Sequence, residues 1–205
     1  FQGGSMGEVS GAKMAAALEM AAEDNRNGIP TQAILCLETG GVRLQEANLG
    51  LAAIADIHAA IVDLRRYVPV IGIIAGTVGC FGGMSIAAAL CSYLIVTREA
   101  RLGLNGPQVI EQEAGIEEYD SRNRPFIWSL TGGEARYRTG FVDALVDDSL
   151  AAVRKAATDC IAMGRPASLR CERYDDYLEK LNAFDTREQA SAERAAALFG
   201  KGERS

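Results

Sequence analysis

Histidine and paired cysteines are scarce in this sequence. Its 205 residues include a single histidine, His58, and five cysteines, no two of which form a Cys-x-x-Cys pair. Catalysis of the Ser-His-Asp or Cys-His type would have to use His58, which falls inside a predicted helix on the same face as Ile54 and Ile61. We therefore expect His58 to be a core or interface residue. A zinc site is not expected, because its usual ligands are too few.

Several common binding motifs are also absent. The sequence has no GxxxxGK[ST] phosphate loop, no GxGxxG dinucleotide motif, no GxSxG nucleophile elbow and no HExxH zinc motif. No apolar run reaches the roughly 18 residues that a membrane-spanning helix needs, so no membrane span is expected. The formal net charge of −6 disfavours binding to the phosphate backbone of nucleic acids. A cytoplasmic protein with reduced cysteines is the expected class.

The length and the first residues bear on domain organisation. The sequence starts with Phe1 rather than methionine, and a glycine-rich stretch follows at once, so we expect it to begin inside a domain with an N-terminal part missing. With 48% hydrophobic residues the chain can bury a sizeable core, which favours a single α/β domain over residues 1–205. Residues 149–205 are expected to form a helical C-terminal extension that docks, because such short charged helices would not be stable alone.

What the sequence does contain is a repeated unit: a short apolar strand, a Gly-Gly loop and a helix. The unit occurs at residues 33–67 and 70–91 and is half visible at 1–24. Strand–helix alternation of this kind is typical of an α/β fold with helices packed on a sheet. The helix of the first unit is predicted over residues 44–67, and its apolar face is predicted to carry Ala47, Leu51, Ile54, Ala55, Ile61 and Leu64.

The C-terminal extension is predicted to contain three helices. They are expected over residues 150–163, over about 171–181, and after a capping box Thr186-x-x-Gln189, with Gly200 ending the last helix. The middle helix carries an apolar stripe that the core or a partner subunit should cover, made of Tyr174, Tyr177, Leu178 and Leu181.

The chemistry of this chain is expected at its two Gly-Gly loops. Gly40-Gly41-Val42 and Gly82-Gly83-Met84 each follow a buried strand and precede a helix. Glycine lets the backbone approach a ligand closely, and a helix start presents unpaired N–H groups. Two N–H donors that converge on one carbonyl oxygen form an oxyanion hole. The residues alone leave a second interpretation open, in which both loops are tight turns with a packing role only.

Four segments resemble the β subunits of biotin-dependent carboxyltransferases. Residues 38–46, ETGGVRLQE, resemble the SGGARMQE signature of that family, and residues 102–112, LGLNGPQVIEQ, resemble its IGFAGPRVIEQ segment. Gly3-Gly4-Ser5-Met6-Gly7 resembles its MGGSMGSVVG loop, and the glycine pair at 82–83 resembles its second glycine loop. The segments keep the family's order over residues 3 to about 147. Within this crotonase-like superfamily, the sequence is most similar to the β subunits of malonate decarboxylases.

That resemblance implies a fold, a reaction and partners. The fold would be a crotonase-like ββα superhelix, and the chain would work with a γ subunit. The reaction would be decarboxylation of a malonyl thioester on an acyl carrier protein to the acetyl thioester, through an enolate held in a backbone oxyanion hole. The carrier's CoA-like prosthetic group would bring the substrate. This chain itself is expected to bind no cofactor, no biotin and no metal, and to contact neither membrane nor nucleic acid.

The residues expected at the site follow from the same loops. The N–H donors are expected among Gly41, Val42, Gly82, Gly83 and Met84, and the substrate is expected to contact Gly40, Gly79 and Gly106. Two alternatives stay open. The chain could be the carboxyltransferase β subunit of a biotin-dependent acyl-CoA carboxylase or decarboxylase, or a non-catalytic scaffold for the carrier protein.

Overall fold

The order of helices and strands follows the repeated unit of the sequence. The computed structural model describes residues 4–188 and 191–200, so Gly3 of the first glycine loop and Gln189 of the predicted capping box lie outside the described residues. The elements are β1 (Ser5–Met6), α1 (Glu8–Arg26), β2 (Ala33–Cys36), β3 (Gly41–Val42), α2 (Asn48–Leu64), β4 (Val70–Ile74), α3 (Gly83–Leu90), β5 (Tyr93–Thr97), α4 (Pro107–Ala114), α5 (Arg124–Thr131), α6 (Gly133–Arg138), β6 (Ala144–Val146), α7 (Leu150–Met163), α8 (Tyr174–Asn182) and α9 (Ala192–Phe199).

A parallel sheet of four strands, in the order β2-β4-β5-β6, lies at the centre. Its strand β4 is buried at every position, which explains the unbroken apolar sequence, because parallel strands are usually covered on both faces. Gly72 of β4 is paired with Leu35 on one side and Leu94 on the other. A Cβ on Gly72 would lie 2.9 Å from Leu94 Cδ1, so this glycine makes room for the packing of the next strand.

A second, smaller layer runs beside the main sheet. Strand β1 pairs in parallel with β3, and single parallel bridges join Thr39 to Cys80 and Cys80 to Leu102. After each of β2, β4 and β5, the chain therefore crosses this second layer before it enters the next helix. This repeated strand–strand–helix path confirms the expected crotonase-like ββα arrangement.

Helices α1 and α2 pack closely on each other and cover the sheet. A Cβ on Gly11 of α1 would lie 2.6 Å from the Cβ of Ala53 on α2, so the small residues at this crossing allow the close approach. Ile57, Ile61 and Leu64 of α2 are fully buried in the core. Burial of one such side chain contributes about 1.5–3 kcal/mol, which is why α2 carries much of the packing behind the second layer.

The predicted helix over residues 44–67 is wrong at its start. The chain forms a 3₁₀ turn at Leu44–Glu46 and then begins α2 at Asn48, with Ala47 between them at a φ of 45°. The predicted apolar face is wrong in part, because Leu51 is 53% exposed. Gly50 and Ala53 face inward instead, since only small residues fit against β3 and α1.

The C-terminal segment docks on the rest of the chain through Arg170 and an aromatic cluster. The 3₁₀ turn Arg170–Arg173 precedes α8, and the Arg170 guanidinium pairs with Asp143 and donates to Cys91 O (2.5 Å). Tyr177 stacks on Phe141 with 5.4 Å between ring centroids, and Phe199 of α9 lies 5.5 Å from the same ring. These contacts hold the described part of the segment against α3, β6 and the loop around Phe141.

Two details of this segment differ from the sequence-based expectation. Helix α9 begins at Ala192 with Ser191 as its N-cap, rather than directly after Thr186. The predicted apolar stripe is covered at Tyr177, while Tyr174 is 65% exposed.

The single-domain organisation over residues 1–205 stays a prediction. Within the described ranges, no helix is both long enough and apolar enough to cross a bilayer.

Candidate active site

The two Gly-Gly loops, more than 35 residues apart in the chain, lie in direct contact. Thr39 joins them: its N–H donates to Gly79 O (2.8 Å), and its carbonyl accepts from the N–H of Phe81 (3.1 Å). The Thr39 hydroxyl donates to Gly4 O (2.8 Å) and accepts from the N–H of Gly41 (3.2 Å). Thr39 is 1% exposed, so one buried side chain ties the N-terminal loop to the first Gly-Gly loop, while its backbone holds the second.

Gly41 and Gly82 face each other where the loops meet. Their φ angles are 108° and 61°, in the left-handed region that side-chain-bearing residues rarely adopt. A Cβ on Gly41 would lie 3.1 Å from Gly82 Cα, and a Cβ on Gly82 would lie 3.1 Å from Gly41 Cα. The structure therefore requires glycine at both positions for conformation and for space.

The backbone N–H groups of these two glycines already have partners. The N–H of Gly41 donates to the Thr39 hydroxyl, and the N–H of Gly82 donates to Leu104 O (2.7 Å). These two residues set the geometry of the loops. Any N–H donor that is available to a ligand must therefore belong to a residue adjacent to Gly41 or Gly82.

Val42 and the first turn of α3 supply such donors. In the parallel pair β1–β3, the N–H of Arg43 donates to Met6 O (2.7 Å), so the N–H of Val42, one residue earlier, faces away from β1. A Cβ on Gly82 would lie 3.7 Å from the nitrogen of Val42, which places that N–H beside the second loop. At the start of α3, Ser85 is the first residue whose N–H donates back to Gly82 O (3.0 Å).

Gly83 and Met84 precede Ser85 in α3, so their N–H groups have no partner within the helix. Gly82 contributes no side-chain cap to that helix. Val42 and Gly83 are partly exposed, whereas Met84 is fully buried. The N–H of Val42 from one loop and that of Gly83 from the other are therefore the donors that a ligand can reach. Such an arrangement can stabilise negative charge on a carbonyl oxygen.

The three glycines expected to contact substrate lie in different settings. Gly40 is exposed at the first loop, with its carbonyl 3.8 Å from a Cβ placed on Gly82. Gly79 has a φ of 83° and supplies the carbonyl that Thr39 uses. Gly106 is the N-cap of α4 at a φ of −65°, with nothing within 4 Å of its Cβ position. The backbone therefore requires glycine at position 79, whereas position 106 has room for a side chain.

His58 and Thr39 contribute to the site in ways that the sequence analysis missed. His58 is half-buried on α2, and its Nε2 donates to Gly83 O (2.9 Å). The expectation of a core or interface residue did not include a bond to the second Gly-Gly loop. For Thr39, a possible signal was its place directly before a glycine pair, because threonine hydroxyls often bond to the backbone two residues on.

The thiols near the loops are protonated. Burial raises the pKa of Cys80 to about 12 and that of Cys91 to about 12. A neutral buried thiol is a poor nucleophile and a poor metal ligand. Among residues 4–188 and 191–200, no group of three or more His, Cys, Asp or Glu side chains could hold a metal ion. The main-chain donors are the reactive features that these loops present.

Comparison with known proteins places the chain in a family. The carboxyl transferase domain family matches residues 1–168. The chain belongs to that family. A chain in the crystal structure of a Pseudomonas malonate decarboxylase hetero-tetramer in complex with malonate is 69% identical, with a TM-score of 0.94, over 97% of this chain and 72% of that chain. This similarity confirms the resemblance to malonate decarboxylases.

Two further relatives are carboxyl transferases that are less similar to this chain. The malonyl-S-ACP:biotin-protein carboxyltransferase MADC of Malonomonas rubra is 41% identical over 168 residues, which are 77% of this chain and 53% of that protein. The chain thus spans about half the length of this curated relative. The transcarboxylase 12S structure with bound methylmalonyl-coenzyme A has a TM-score of 0.64 at 29% identity, over 76% of this chain and 28% of that chain. The fold is shared across these carboxyl transferases.

Proposed function

We propose that this chain, with a partner subunit, decarboxylates a malonyl thioester to an acetyl thioester. The observation that carries the proposal is the contact between the two Gly-Gly loops at Gly41 and Gly82, with the nitrogen of Val42 beside the second loop. The 69% identity to a subunit of a malonate decarboxylase crystallised with malonate supports the same substrate class.

The chemistry requires little beyond such donors. When the bond between the methylene carbon and the carboxylate carbon breaks, CO₂ leaves and the electron pair forms an enolate whose charge collects on the thioester oxygen. Donors aimed at that oxygen stabilise the enolate more than the neutral carbonyl, which is what catalysis requires. A proton then adds to the methylene carbon, and water or a residue of the partner subunit supplies it.

The donors that we assign are the N–H of Val42 and the N–H of Gly83, since Met84 is fully buried. Gly41 and Gly82 instead hold the loops, because their own N–H groups are bonded to Thr39 and Leu104. Gly40 and Gly79 support the loop backbone next to the substrate, and Gly106 begins the helix that follows the Leu104 segment.

The partners follow from the relatives. The related structures are a hetero-tetramer and an MdcD-MdcE hetero-dimer of Pseudomonas malonate decarboxylase. We propose a γ-type subunit as the partner of this chain and an acyl carrier protein with a CoA-like arm as the substrate carrier. The cytoplasm is the expected compartment, because the carrier and its thioester are found there.

The first experiment measures CO₂ release. The complex that contains this chain is purified in its native form and supplied with malonyl-carrier labelled in the free carboxylate. Release of labelled CO₂ with formation of acetyl-carrier supports the proposal. Intact malonyl-carrier would leave the chain as a scaffold for the carrier protein, which is the non-catalytic alternative.

The second experiment tests the donors one at a time. Replacing the backbone amide of Val42 by an ester removes its N–H and leaves the side chain in place, and this should lower kcat about 10²–10³-fold. The same exchange at Gly41, whose N–H serves the Thr39 hydroxyl, is the matched control and should cost less. Equal losses at both positions would contradict the assignment. Gly83 is a poor site for substitution, because a Cβ there would lie 2.9 Å from Ile54 Cγ2 and disturb the core.

A carboxyltransferase acting on a biotin protein is the second candidate. It is favoured by the 41% identity to the malonyl-S-ACP:biotin-protein carboxyltransferase of Malonomonas rubra. The same donors could hold a biotin enolate in that reaction. Avidin added to the native complex separates the two candidates: activity that survives avidin supports direct decarboxylation, and activity that avidin abolishes supports transfer to biotin.

A further inference from the structure

Arg136 presents a charged group to an apolar cavity beside the Gly-Gly loops. The cavity has a volume of about 200 Å³, and its lining includes Ser85, Ala89, Leu94, Leu104, Arg136 and Phe141. Among the described residues that line it, only Ser85 and Arg136 have polar side chains. The Ser85 hydroxyl is occupied, because it donates to Gly82 O (2.7 Å). Arg136 is therefore the group in this cavity that could recognise a polar ligand.

The Arg136 guanidinium has no acidic partner among the described residues. Its Nε donates to Leu102 O (2.8 Å), and its Cζ lies 5.7 Å from the centroid of the Phe141 ring. Glu134 of the same helix is already paired with Arg98 (3.1 Å) and Arg138 (2.6 Å). Burial lowers the pKa of Arg136. Arg136 is partly exposed, and a partly buried cation without an anion is costly, so an anionic ligand would be favourable here.

Other charges around the cavity do not supply the missing anion. Asp143, two residues after Phe141, pairs with Arg170 and accepts from the N–H of Leu94 (2.7 Å). The hydroxyl of Tyr119 is buried and has no hydrogen-bond partner among the described residues. Burial raises the pKa of Tyr119, and the charges of Arg136 and Arg101 oppose that rise.

Arg136 and the second Gly-Gly loop bond to the same short segment of the chain. Leu102 O accepts from Arg136, and Leu104 O accepts from the N–H of Gly82 at the second loop. Leu104 and Ser85, which follows the second loop, also line the cavity with Arg136. Arg136 and the second Gly-Gly loop are thus neighbours at this cavity.

We propose that Arg136 binds the free carboxylate of the malonyl group while the loop N–H groups hold its thioester carbonyl. This rests on the proposed function and deepens it by assigning the residue that distinguishes a malonyl from an acetyl thioester. A carboxylate is the ligand rather than a phosphate, because the cavity is small and otherwise apolar and offers one guanidinium. Arginine binds carboxylates through two parallel N–H bonds, and the Arg136 Nη groups are available for them.

The proposed contact has a kinetic signature. The carboxylate becomes neutral CO₂ during the reaction, so its bond to Arg136 is strongest before the transition state. Interactions of that kind lower KM without raising kcat. Arg136→Gln should therefore raise KM for malonyl-carrier about tenfold to a hundredfold, with kcat unchanged or higher.

Binding measurements test the contact without turnover. The native complex is titrated with malonamate, which carries one carboxylate, and with malonamide, its neutral counterpart. Wild-type complex should prefer malonamate at least about tenfold, Arg136→Gln should lose the preference, and Arg136→Lys should keep part of it. Arg138→Gln is the matched control on the same helix, since Arg138 is 67% exposed and pairs with Glu134.

Each result decides a separate question. Equal malonamate preference in wild type and a folded Arg136→Gln variant would overturn the proposal, and so would displacement of malonamate by inorganic phosphate at equal or lower concentration. Loss of the preference in Arg136→Gln alone would support it. Should the wild-type complex lose no CO₂ from malonyl-carrier while Arg136→Gln still abolishes the preference, the proposed decarboxylation fails and the carboxylate site stands.

Discussion

At the scale of single residues, Thr39 connects three segments that are distant in the chain. Its hydroxyl bonds to Gly4 and Gly41, and its backbone bonds to Gly79 and Phe81. The hydroxyl holds the peptide before Val42, whose N–H we assign as an oxyanion donor. A residue with no reactive role thereby controls the geometry of the donors.

Replacing Thr39 by valine should weaken both the fold and the activity. The valine side chain fills the same space but leaves Gly4 O and the N–H of Gly41 without partners, which costs about 1–3 kcal/mol in the free energy of unfolding. Urea unfolding and CO₂ release from malonyl-carrier measure the two effects. Thr39→Ser keeps the hydroxyl and is the control, and a valine variant as stable and active as wild type would remove Thr39 from the site.

His58 acts on the second loop through a peptide unit. Its Nε2–H donates to Gly83 O, and that carbonyl shares its planar peptide with the N–H of Met84. A hydrogen bond to the oxygen of an amide strengthens the amide's own N–H as a donor. His58 therefore positions the second Gly-Gly loop without touching the substrate.

Two substitutions of His58 should differ in rate. Glutamine can still donate a hydrogen bond to Gly83 O, so His58→Gln should turn over at nearly the wild-type rate. Leucine cannot, and His58→Leu should lower kcat about twofold to tenfold, as expected for one hydrogen bond of about 0.5–1.5 kcal/mol. The measurement is kcat at saturating malonyl-carrier, with melting temperatures to check folding. A glutamine variant as slow as the leucine variant would argue against the hydrogen bond.

At the scale of elements, the start of α1 depends on a carboxylate from the turn before α2. Glu46 accepts from the N–H of Glu8 (2.5 Å) and pairs with Arg43 (2.9 Å). A carboxylate at a helix N-terminus is favourable because it bonds to unpaired N–H groups and interacts with the helix dipole. The bond from Glu8, followed by that from Arg43, lowers the pKa of Glu46 below its ordinary value of 4.5.

This shift predicts a pH-dependent effect of Glu46→Gln. Because the pKa is lower in the folded state, the carboxylate stabilises the fold at pH values above the unfolded pKa, and this contribution is lost as pH falls through the folded pKa. The variant should therefore melt below wild type at pH 7, and the two melting curves should converge as the pH falls below 4.5. Glu117→Gln, at an exposed position, is the control. A difference that persists unchanged at low pH would contradict the assignment.

At the scale of the whole molecule, Arg170 joins the C-terminal helices to the sheet. Its side chain is 11% exposed and contacts Asp143, Cys91 O and Ala89 O. These partners lie at the end of α3 and just before β6, on the elements that line the Arg136 cavity. Phe141 lines that cavity, and Tyr177 and Phe199 pack against its ring.

Arg170→Gln should loosen this attachment. Loss of the charge-assisted bonds should lower the free energy of unfolding by about 1.5–3 kcal/mol, and limited proteolysis should cut the segment around residues 171–188 faster than in wild type. Urea unfolding and mass spectrometry of the fragments measure both effects. Arg187→Gln is the control, because Arg187 is 88% exposed and pairs with nearby Asp185. Unchanged cleavage would mean that the aromatic cluster alone holds the segment.

Local patterns were enough to predict most of the elements. The buried run at β4, the Gly-Gly pairs and the limits of α7 at Leu150–Met163 are signals carried by neighbouring residues, and the structure confirms them. The start of α2 was wrong because Ala47 adopts a positive φ. Packing of the turn at residues 43–47 against β1 and α1 decides that conformation. The residue types around Ala47 do not predict it.

The amino-acid sequence by itself determined that strands, glycine loops and apolar helices alternate, and it predicted the site at the glycine loops. Only the tertiary structure decided which N–H groups stay free, because the partners of Gly41 and Gly82 come from Thr39 and Leu104. Only the tertiary structure left Arg136 without an acidic partner among residues 4–188 and 191–200, where Glu134 and Asp143 pair with other arginines. Spacing along the chain specifies local conformation, whereas hydrogen-bond and charge balance depend on segments that meet only after folding.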